Sequence, residues 1–235
     1  MIDLHCHILP GIDFDGPPRL DDVLEMGRIA AADDIRQIVA TPHIKETIHP
    51  AEFLRDQVRR LNEEFEKNGI SLEVLQGAEV NTMVDPSSFG EYTLNGTDYL
   101  LLEFPHSHLP KDAVELVFNT VLDGLSPIIP HPERNPSIVR RPELVSDLVK
   151  AGALIQLTAD SLLGGFGPEA RECSLYLLER GLVHFLATDA HSPDWRRPIL
   201  SRGVKAAARV LGEAAARRLA NENPASIIAG KPLHD

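Results

Sequence analysis

Eight side chains able to hold a divalent cation recur along this sequence, each near the end of a short apolar run. His5 and His7 flank Cys6, His43 follows Thr41-Pro42, and Glu79 and Glu103 end apolar stretches. His131 sits in Pro130-His131-Pro132-Glu133-Arg134, and Asp189 with His191 repeats the alternate spacing near the far end of the chain. Imidazole nitrogens and carboxylate oxygens are the ligands that divalent transition metals take. One ion needs three or four of them, so this set points to a cluster of two or three ions. Such a cluster lowers the pKa of a bridging water to supply hydroxide near neutral pH and neutralises phosphate oxygens under attack. Arg134, three residues after His131, and Arg196 with Arg197, shortly after His191, are spaced to fork onto those oxygens. Metal-assisted phosphate ester hydrolysis is the leading reaction class.

Each residue also has a plainer reading. An isolated H-x-H pair is often two polar residues and no more, and His43 could be a capping or surface residue. Glu79 and Glu103 could be salt-bridged to Arg or Lys, since a carboxylate at the end of an apolar strand is costly to bury alone. The arginines could make surface ion pairs. Cys6, pointing away from its two histidine neighbours at strand period, reads as a small hydrophobe. His106 and His108 lie in a loop and either line the site or face water, His184 reads as a core residue with a satisfied hydrogen bond, and His49 and His234 read as surface. These plain readings are independent of one another, whereas a metal site accounts for the whole set.

The elements that must position these side chains alternate along the chain. Strands are expected at Ile2–Cys6, Ile35–Ala40, Leu72–Ala78, Tyr99–Glu103, Pro127–Pro130, Ala153–Leu157 and Leu182–Ala187. Amphipathic helical patterns lie between them, such as Leu20, Val23, Leu24, Gly27 and Phe53, Leu54, Val58, Leu61, Phe65, with another from Ile199 to Leu219. Gly69, Gly124, Gly152 and Gly181 punctuate helix ends before strands, as in a (β/α) barrel, whose functional face is the C-terminal end of its strands. Six of the seven expected strands thus deliver an imidazole or carboxylate to one rim. No linker, low-complexity tract or break in composition divides residues 1–235, so a single domain is expected.

Composition narrows the function. Of 235 residues, 43% are hydrophobic and 25% charged, which excludes disorder. The net charge of −12 argues against a binder of nucleic acid or of a membrane surface, so an anionic substrate must be drawn in locally. Two cysteines make no disulfide framework, no apolar run approaches the roughly 20 residues of a membrane span, and Met1–His7 is too polar for a signal peptide. A cytoplasmic protein is expected.

Competing templates fail. The spacing Cys-x5-Arg is absent, since Ile12 and Glu179 stand six positions after Cys6 and Cys173. No phosphate-loop or G-x-S-x-G motif is present. Gly165, Gly167 and Ala170 fit a dinucleotide fingerprint only formally, because a Leu-rich segment separates them from the nearest strand.

Six segments together resemble the polymerase-and-histidinol-phosphatase (PHP) superfamily: Met-Ile-Asp-Leu-His-Cys-His at 1–7, Ala-Thr-Pro-His at 40–43, Gly-Ala-Glu-Val at 77–80, Leu-Glu-Phe-Pro at 102–105, His-Pro-Glu-Arg at 131–134 and Ala-Thr-Asp-Ala-His at 187–191. Their order and spacing are similar to the bacterial metal-dependent protein-tyrosine phosphatases of capsule and exopolysaccharide gene clusters, over nearly the whole chain. The segment Ser161–Gly167 also resembles that family's loop after the sixth strand. The resemblance implies a distorted (β/α)7, TIM-like barrel with up to three divalent ions (manganese, iron or zinc). The implied substrate is a phosphotyrosine protein, the cognate polysaccharide-synthesis tyrosine kinase. By matching position, one ion is expected on His5, His7, Glu79 and Asp189, and a second shares Glu79 and adds Glu103 and His131. The third takes His43, His191 and an aspartate of the first loop. The family pattern Asp-Asp-Gly becomes Asp13-Phe14-Asp15-Gly16 here, so Asp15, beside the glycine, is the expected ligand and Asp13 the alternative. Arg134 and Arg197 are the expected phosphate-binding residues.

Three other readings compete. Another PHP phosphoesterase, such as a histidinol-phosphate phosphatase, would share the metal rim. Amidohydrolase-type deacylases often bridge their metals with a strand-end lysine, but here the fourth strand ends in Glu103. A non-catalytic metal-binding module would have no use for a phosphate-binding Arg134. The oligomeric state is not legible in the sequence.

Overall fold

A computed structural model describes residues 1–45 and 47–233. Among the described residues the pattern of β-branched and leucine-rich runs becomes nine short strands: β1 (Ile2–Cys6), β2 (Gln37–Ala40), β3 (His43–Ile44), β4 (Glu73–Gln76), β5 (Glu79–Asn81), β6 (Tyr99–Glu103), β7 (Ser126–Pro130), β8 (Leu154–Thr158) and β9 (Phe185–Ala187). Every pairing between them is parallel. The order is β1-β2-β4 in one sheet and β3-β5-β6-β7-β8-β9 in the other. Beyond β9 the chain returns to β1: Asp189 N–H donates to His5 C=O at 2.8 Å and His7 N–H to Ala190 C=O at 2.8 Å. The ring therefore closes as a distorted seven-position (β/α) barrel, as expected.

The distortion comes after the second and third expected strands, each of which is followed, beyond its expected end, by a short extra strand. Pro42 has no N–H for the ladder and divides β2 from β3. Gly77 divides β4 from β5 where the backbone passes so close to its neighbours that a Cβ there would lie 2.7 Å from Val39 and 2.8 Å from Leu94. The splits create a short offset ladder in which His43 is in register with Glu79.

Helices α1 (Leu20–Ala32), α2 (Ala51–Lys67), α3 (Ala113–Leu122), α4 (Pro136–Arg140), α5 (Leu144–Lys150) and α6 (Pro168–Glu179) occupy the crossovers. The expected helix over 199–219 breaks at Gly212 into α7 (Ser201–Leu211) and α8 (Glu213–Arg218), followed by α9 (Glu222–Ile228). In α2 the stripe Leu54, Val58, Leu61, Phe65 is buried, but Phe53 at the edge of that stripe, like Leu20 at the start of α1, stays more than one-third exposed. Leu4, Val39, Leu101, Ile128 and Phe185 fill the barrel with Ile227 of α9, and a larger cluster joins the helices to the outer faces of the strands. Among the described residues no helix is long and apolar enough to cross a membrane.

Candidate metal centre

The hydrophobic plug ends below the C-terminal rim, and there the barrel turns polar. His5, His7, Glu79, Glu103, His131, Asp189 and His191 are all buried although ionisable, an expensive arrangement unless each finds a partner. Their partners are one another. His5 Nε2 lies 3.1 Å from His7 Nε2, 3.5 Å from Glu79 Oε1 and 3.4 Å from Asp189 Oδ1. His7 Nε2 lies 3.5 Å from both Glu79 Oε2 and Asp189 Oδ1. Glu79 reaches further, with Oε1 2.8 Å from His131 Nε2 and Oε2 2.9 Å from His43 Nδ1. Glu103 Oε1 is 3.8 Å from His131 Nε2. On the lip, Asp15 has its carboxylate 3.8 Å from His43 Nε2 and 3.5 Å from His191 Nε2.

The second nitrogen of three rings is already engaged, which fixes how those rings point. His5 Nδ1 bonds Gln156 Oε1 at 2.8 Å, His7 Nδ1 bonds Asp13 Oδ2 at 3.0 Å, and His191 Nδ1 bonds the Asp189 carbonyl at 3.0 Å. With Nδ1–H donating, Nε2 is the nitrogen each ring turns to the cluster and can offer to a cation once its proton is displaced, the arrangement that orients metal-bound histidines. Asp13, the alternative first-loop ligand, is instead turned to His7 and to the His43 backbone N–H at 2.8 Å, whereas Asp15 faces His43 and His191.

The donor set fits cations. Donors about 2.1 Å from one ion at angles of 90–110° are roughly 3.0–3.4 Å apart, close to the separations around His5, His7, Asp189 and Glu79. Two imidazole Nε2 atoms at 3.1 Å gain at most one shared proton, and Glu79 Oε2, Glu103 Oε1 and His43 Nδ1 are buried without an aligned hydrogen-bond partner. The 2.9 Å approach of His43 Nδ1 to Glu79 Oε2 is thus close but misdirected for a proton. Among the described residues four triads have their ligand atoms mutually within 4.8 Å: His7/His43/His191, His5/Glu79/His131, His5/His7/Asp189 and His43/Glu79/Glu103. The structure brings together every expected ligand, and Asp15 is the one that sits at the edge, with its side chain 45% exposed.

Charge is balanced within this pocket. Burial acts to neutralise His7, but its hydrogen bond to Asp13 and the Asp189 and Glu79 carboxylates outweigh burial and hold its proton well above the usual imidazole range. His5 is raised by the same contest, with Glu79 and then Asp189 opposing burial. Burial would raise Glu79 and Asp189, but His5 and His131 around the first, and Arg134 and His5 around the second, hold both well below the carboxylate range. His131 and His191 fall to about 4, through burial first and then the positive neighbours Arg134 and His7 respectively. A cation entering the site displaces the raised protons, which couples metal affinity to pH.

The arginines correct the sequence expectation. Arg134 Nη2 meets Asp189 Oδ2 at 2.7 Å, and the second guanidinium on that oxygen belongs to Arg196. Arg197, the expected residue, is exposed and among the described residues has no ion pair with the cluster; it borders one surface cleft with Ile199 and residues of α1, and a second that Arg196 and Phe166 also line. His191 and Ser192 N–H groups both donate to the Arg196 carbonyl, at 2.9 and 3.1 Å, so a tight loop directs residue 196 inward and 197 outward.

Some supporting residues escaped the sequence reading. Gln156 carries a signal only as the one amide inside apolar β8. Glu133 is fully buried and accepts from Thr158 N–H at 3.1 Å and Ser161 Oγ at 2.7 Å, tying the turn that bears His131 and Arg134 to β8. His131 and Asp189 adopt left-handed backbone (φ 37° and 51°), a strain of order 1–3 kcal/mol each that collects at functional sites. His106, 68% exposed, pairs with Glu103 at 3.0 Å and stacks on His131. His184 is half-buried at the edge of the core, its Nδ1 accepting from Ile155 N–H at 3.0 Å. His234 lies outside the described residues.

Fold and site define a class: a parallel βα barrel whose strand ends gather imidazoles and carboxylates able to hold metal. Residues 1–229 match the family model for capsular polysaccharide synthesis, CpsB/CapC, and the chain belongs to that family. It is 41% identical over 198 residues to the tyrosine-protein phosphatase YwqE of Bacillus subtilis, covering 82% of this chain and 78% of that protein. It is 37% identical over 198 residues to the putative tyrosine-protein phosphatase CapC of Staphylococcus aureus, covering 82% and 77%. A solved structure described with YwqE from Bacillus subtilis and CpsB from Streptococcus pneumoniae as unique metal-dependent tyrosine phosphatases superposes with a TM-score of 0.94 at 36% identity, over 100% of this chain and 96% of that one.

Proposed function

We propose that this chain is a metal-dependent protein-tyrosine phosphatase. The observation that carries the reading is the meeting of the donor cluster and two arginines on one carboxylate: Asp189 Oδ1 faces His5 and His7, while Asp189 Oδ2 faces Arg134 and Arg196. A phosphate seated there would lie between the donor cluster that would hold the cations and the two guanidiniums.

In this reading His5, His7, Glu79 and Asp189 hold one ion, Glu79, Glu103 and His131 a second, and Asp15, His43 and His191 a third. Bound ions, whether manganese, iron or zinc, supply a water of lowered pKa and neutralise phosphate oxygens. The protein's own groups do the rest. Arg134 and Arg196 move from Asp189 Oδ2 onto the phosphate and fix its orientation through charge-assisted bonds. The water oxygen bonds to phosphorus as the ester bond breaks, and of the water's two protons one stays on the new phosphate oxygen while the other goes to the leaving phenolate, whose pKa is about 10. Phe14 and Trp195 are exposed on the loops bearing Asp15 and Arg196 and offer apolar surface to an aromatic side chain.

The relatives' names and the family's link to capsule synthesis support a phosphotyrosine protein as substrate, with the cognate polysaccharide-synthesis tyrosine kinase as the partner. Two free, buried cysteines suit a reducing cytoplasm. The test is turnover of a phosphotyrosine peptide, a phosphoserine peptide and histidinol phosphate by protein loaded with each metal. Preference for phosphotyrosine is expected. Preference for histidinol phosphate moves the chain to the other phosphoesterase reading, and no hydrolysis at full metal occupancy moves it to a binding module.

A further inference from the structure

Arg134 and Arg196 share the Asp189 Oδ2 oxygen, and once both turn from it to a phosphate that carboxylate no longer holds the two like charges together. We propose that Phe166 is a positioning residue for this pair, its ring the shared platform that delivers both arginines to one phosphate; the inference rests on the phosphatase reading and adds to it the residue that builds the phosphate clamp. Arg134 Cζ lies 4.6 Å and Arg196 Cζ 5.6 Å from the Phe166 ring centroid, both within the roughly 6 Å at which a cation is drawn to an aromatic ring. Both side chains are largely withdrawn from water, at 14% and 17% exposure, where that attraction is strongest.

Topology explains why one ring serves two strands. β8 lies between β7 and β9 in the sheet. Arg134 follows β7, Arg196 follows β9, and Phe166 is on the loop that follows β8, so the platform rises between the two arms it supports. The loop is wound to aim that ring. Gly164 and Gly167 adopt φ of 88° and 93°, and a Cβ at Gly165 would fall 1.8 Å from Asp160 Oδ2. Gly165 N–H donates to Asp160 C=O and Gly167 N–H to Gly164 C=O, each at 3.0 Å. Glycines on both sides of the single aromatic residue thus satisfy a backbone path that other residues cannot follow.

The test measures inorganic phosphate binding by calorimetry on metal-loaded protein, together with kcat/KM for a phosphotyrosine peptide. Phe166→Leu keeps an apolar side chain without the π face and is expected to weaken phosphate about tenfold, with kcat/KM falling in parallel and metal content unchanged. Phe166→Tyr restores the face and is expected to stay within about twofold of wild type. In an Arg134→Met/Arg196→Met background, Phe166→Leu should add no further loss of phosphate affinity, because the platform then carries nothing. Undiminished phosphate affinity in Phe166→Leu, a Tyr variant as weak as Leu, or an equal loss without the arginines each overturns the proposal. If the binding pattern appears while wild-type protein hydrolyses no phosphomonoester, the platform stands and the phosphatase reading fails.

Discussion

His5 Nε2 and His7 Nε2 face each other at 3.1 Å while the opposite nitrogen of each ring is held, by Gln156 for His5 and by Asp13 for His7. Held rings are what turn an H-x-H strand into a chelate. Gln156 has no charge, yet it determines which His5 nitrogen is free. Gln156→Leu is therefore expected to weaken metal binding about 10- to 100-fold without unfolding the barrel. Competition with a fluorescent chelator measures this, and an affinity equal to wild type would show that Gln156 does not orient His5.

The neighbours Arg196 and Arg197 should separate cleanly. Arg196 meets Asp189 Oδ2 beside Arg134, and Arg197 faces outward. Arg134→Ala and Arg196→Ala are each expected to retain metal and lose about 100-fold in kcat/KM for phosphotyrosine peptide, the loss of one charged transition-state contact. Arg197→Ala is expected to lose less than about threefold, as a surface change. Equal losses at 196 and 197 contradict this placement.

Asp3 sets a pH dependence of stability. It is fully buried and accepts hydrogen bonds from Thr188, with burial raising its carboxyl from 3.8 to about 6 against those bonds. The folded state therefore holds this proton more tightly than the unfolded chain. The contribution is complete below about pH 4 and is lost as pH rises through 6, a change on the order of 3 kcal/mol. Urea denaturation of chelator-stripped protein from pH 4 to 7 should show wild type losing this increment relative to Asp3→Asn, whose amide does not titrate. Parallel curves for the two would contradict it.

The strand ends were readable because each ionisable residue lies in or within a few residues of a short apolar run, Glu103 directly after Leu100–Leu102, and because glycines mark the helix ends. The split of β2 from β3 and of β4 from β5 was not readable. Gly77 acts through the neighbours it approaches, and only the closed ring shows that the split places His43 in register with Glu79. Arg197 was expected at the phosphate in place of Arg196 by its match to the family pattern, because a loop has no fixed period to assign faces. Asp15 was legible from its glycine neighbour, whereas the turn of Asp13 toward His7 needed the fold of the first loop. Phe166 was visible only as part of a glycine-rich segment, since the ring's partners come from two other strand ends.

Glu79 tests the whole account most directly, since its two oxygens contact His5, His7, His43 and His131. Metal per chain, by elemental analysis, and phosphotyrosine turnover should be measured together on wild type, Glu79→Ala and Glu79→Gln, with circular dichroism confirming the fold. The expected result is that both variants lose bound metal and about 100-fold or more in turnover together. Folded variants that keep full metal content and activity would show that these side chains do not gather around shared cations.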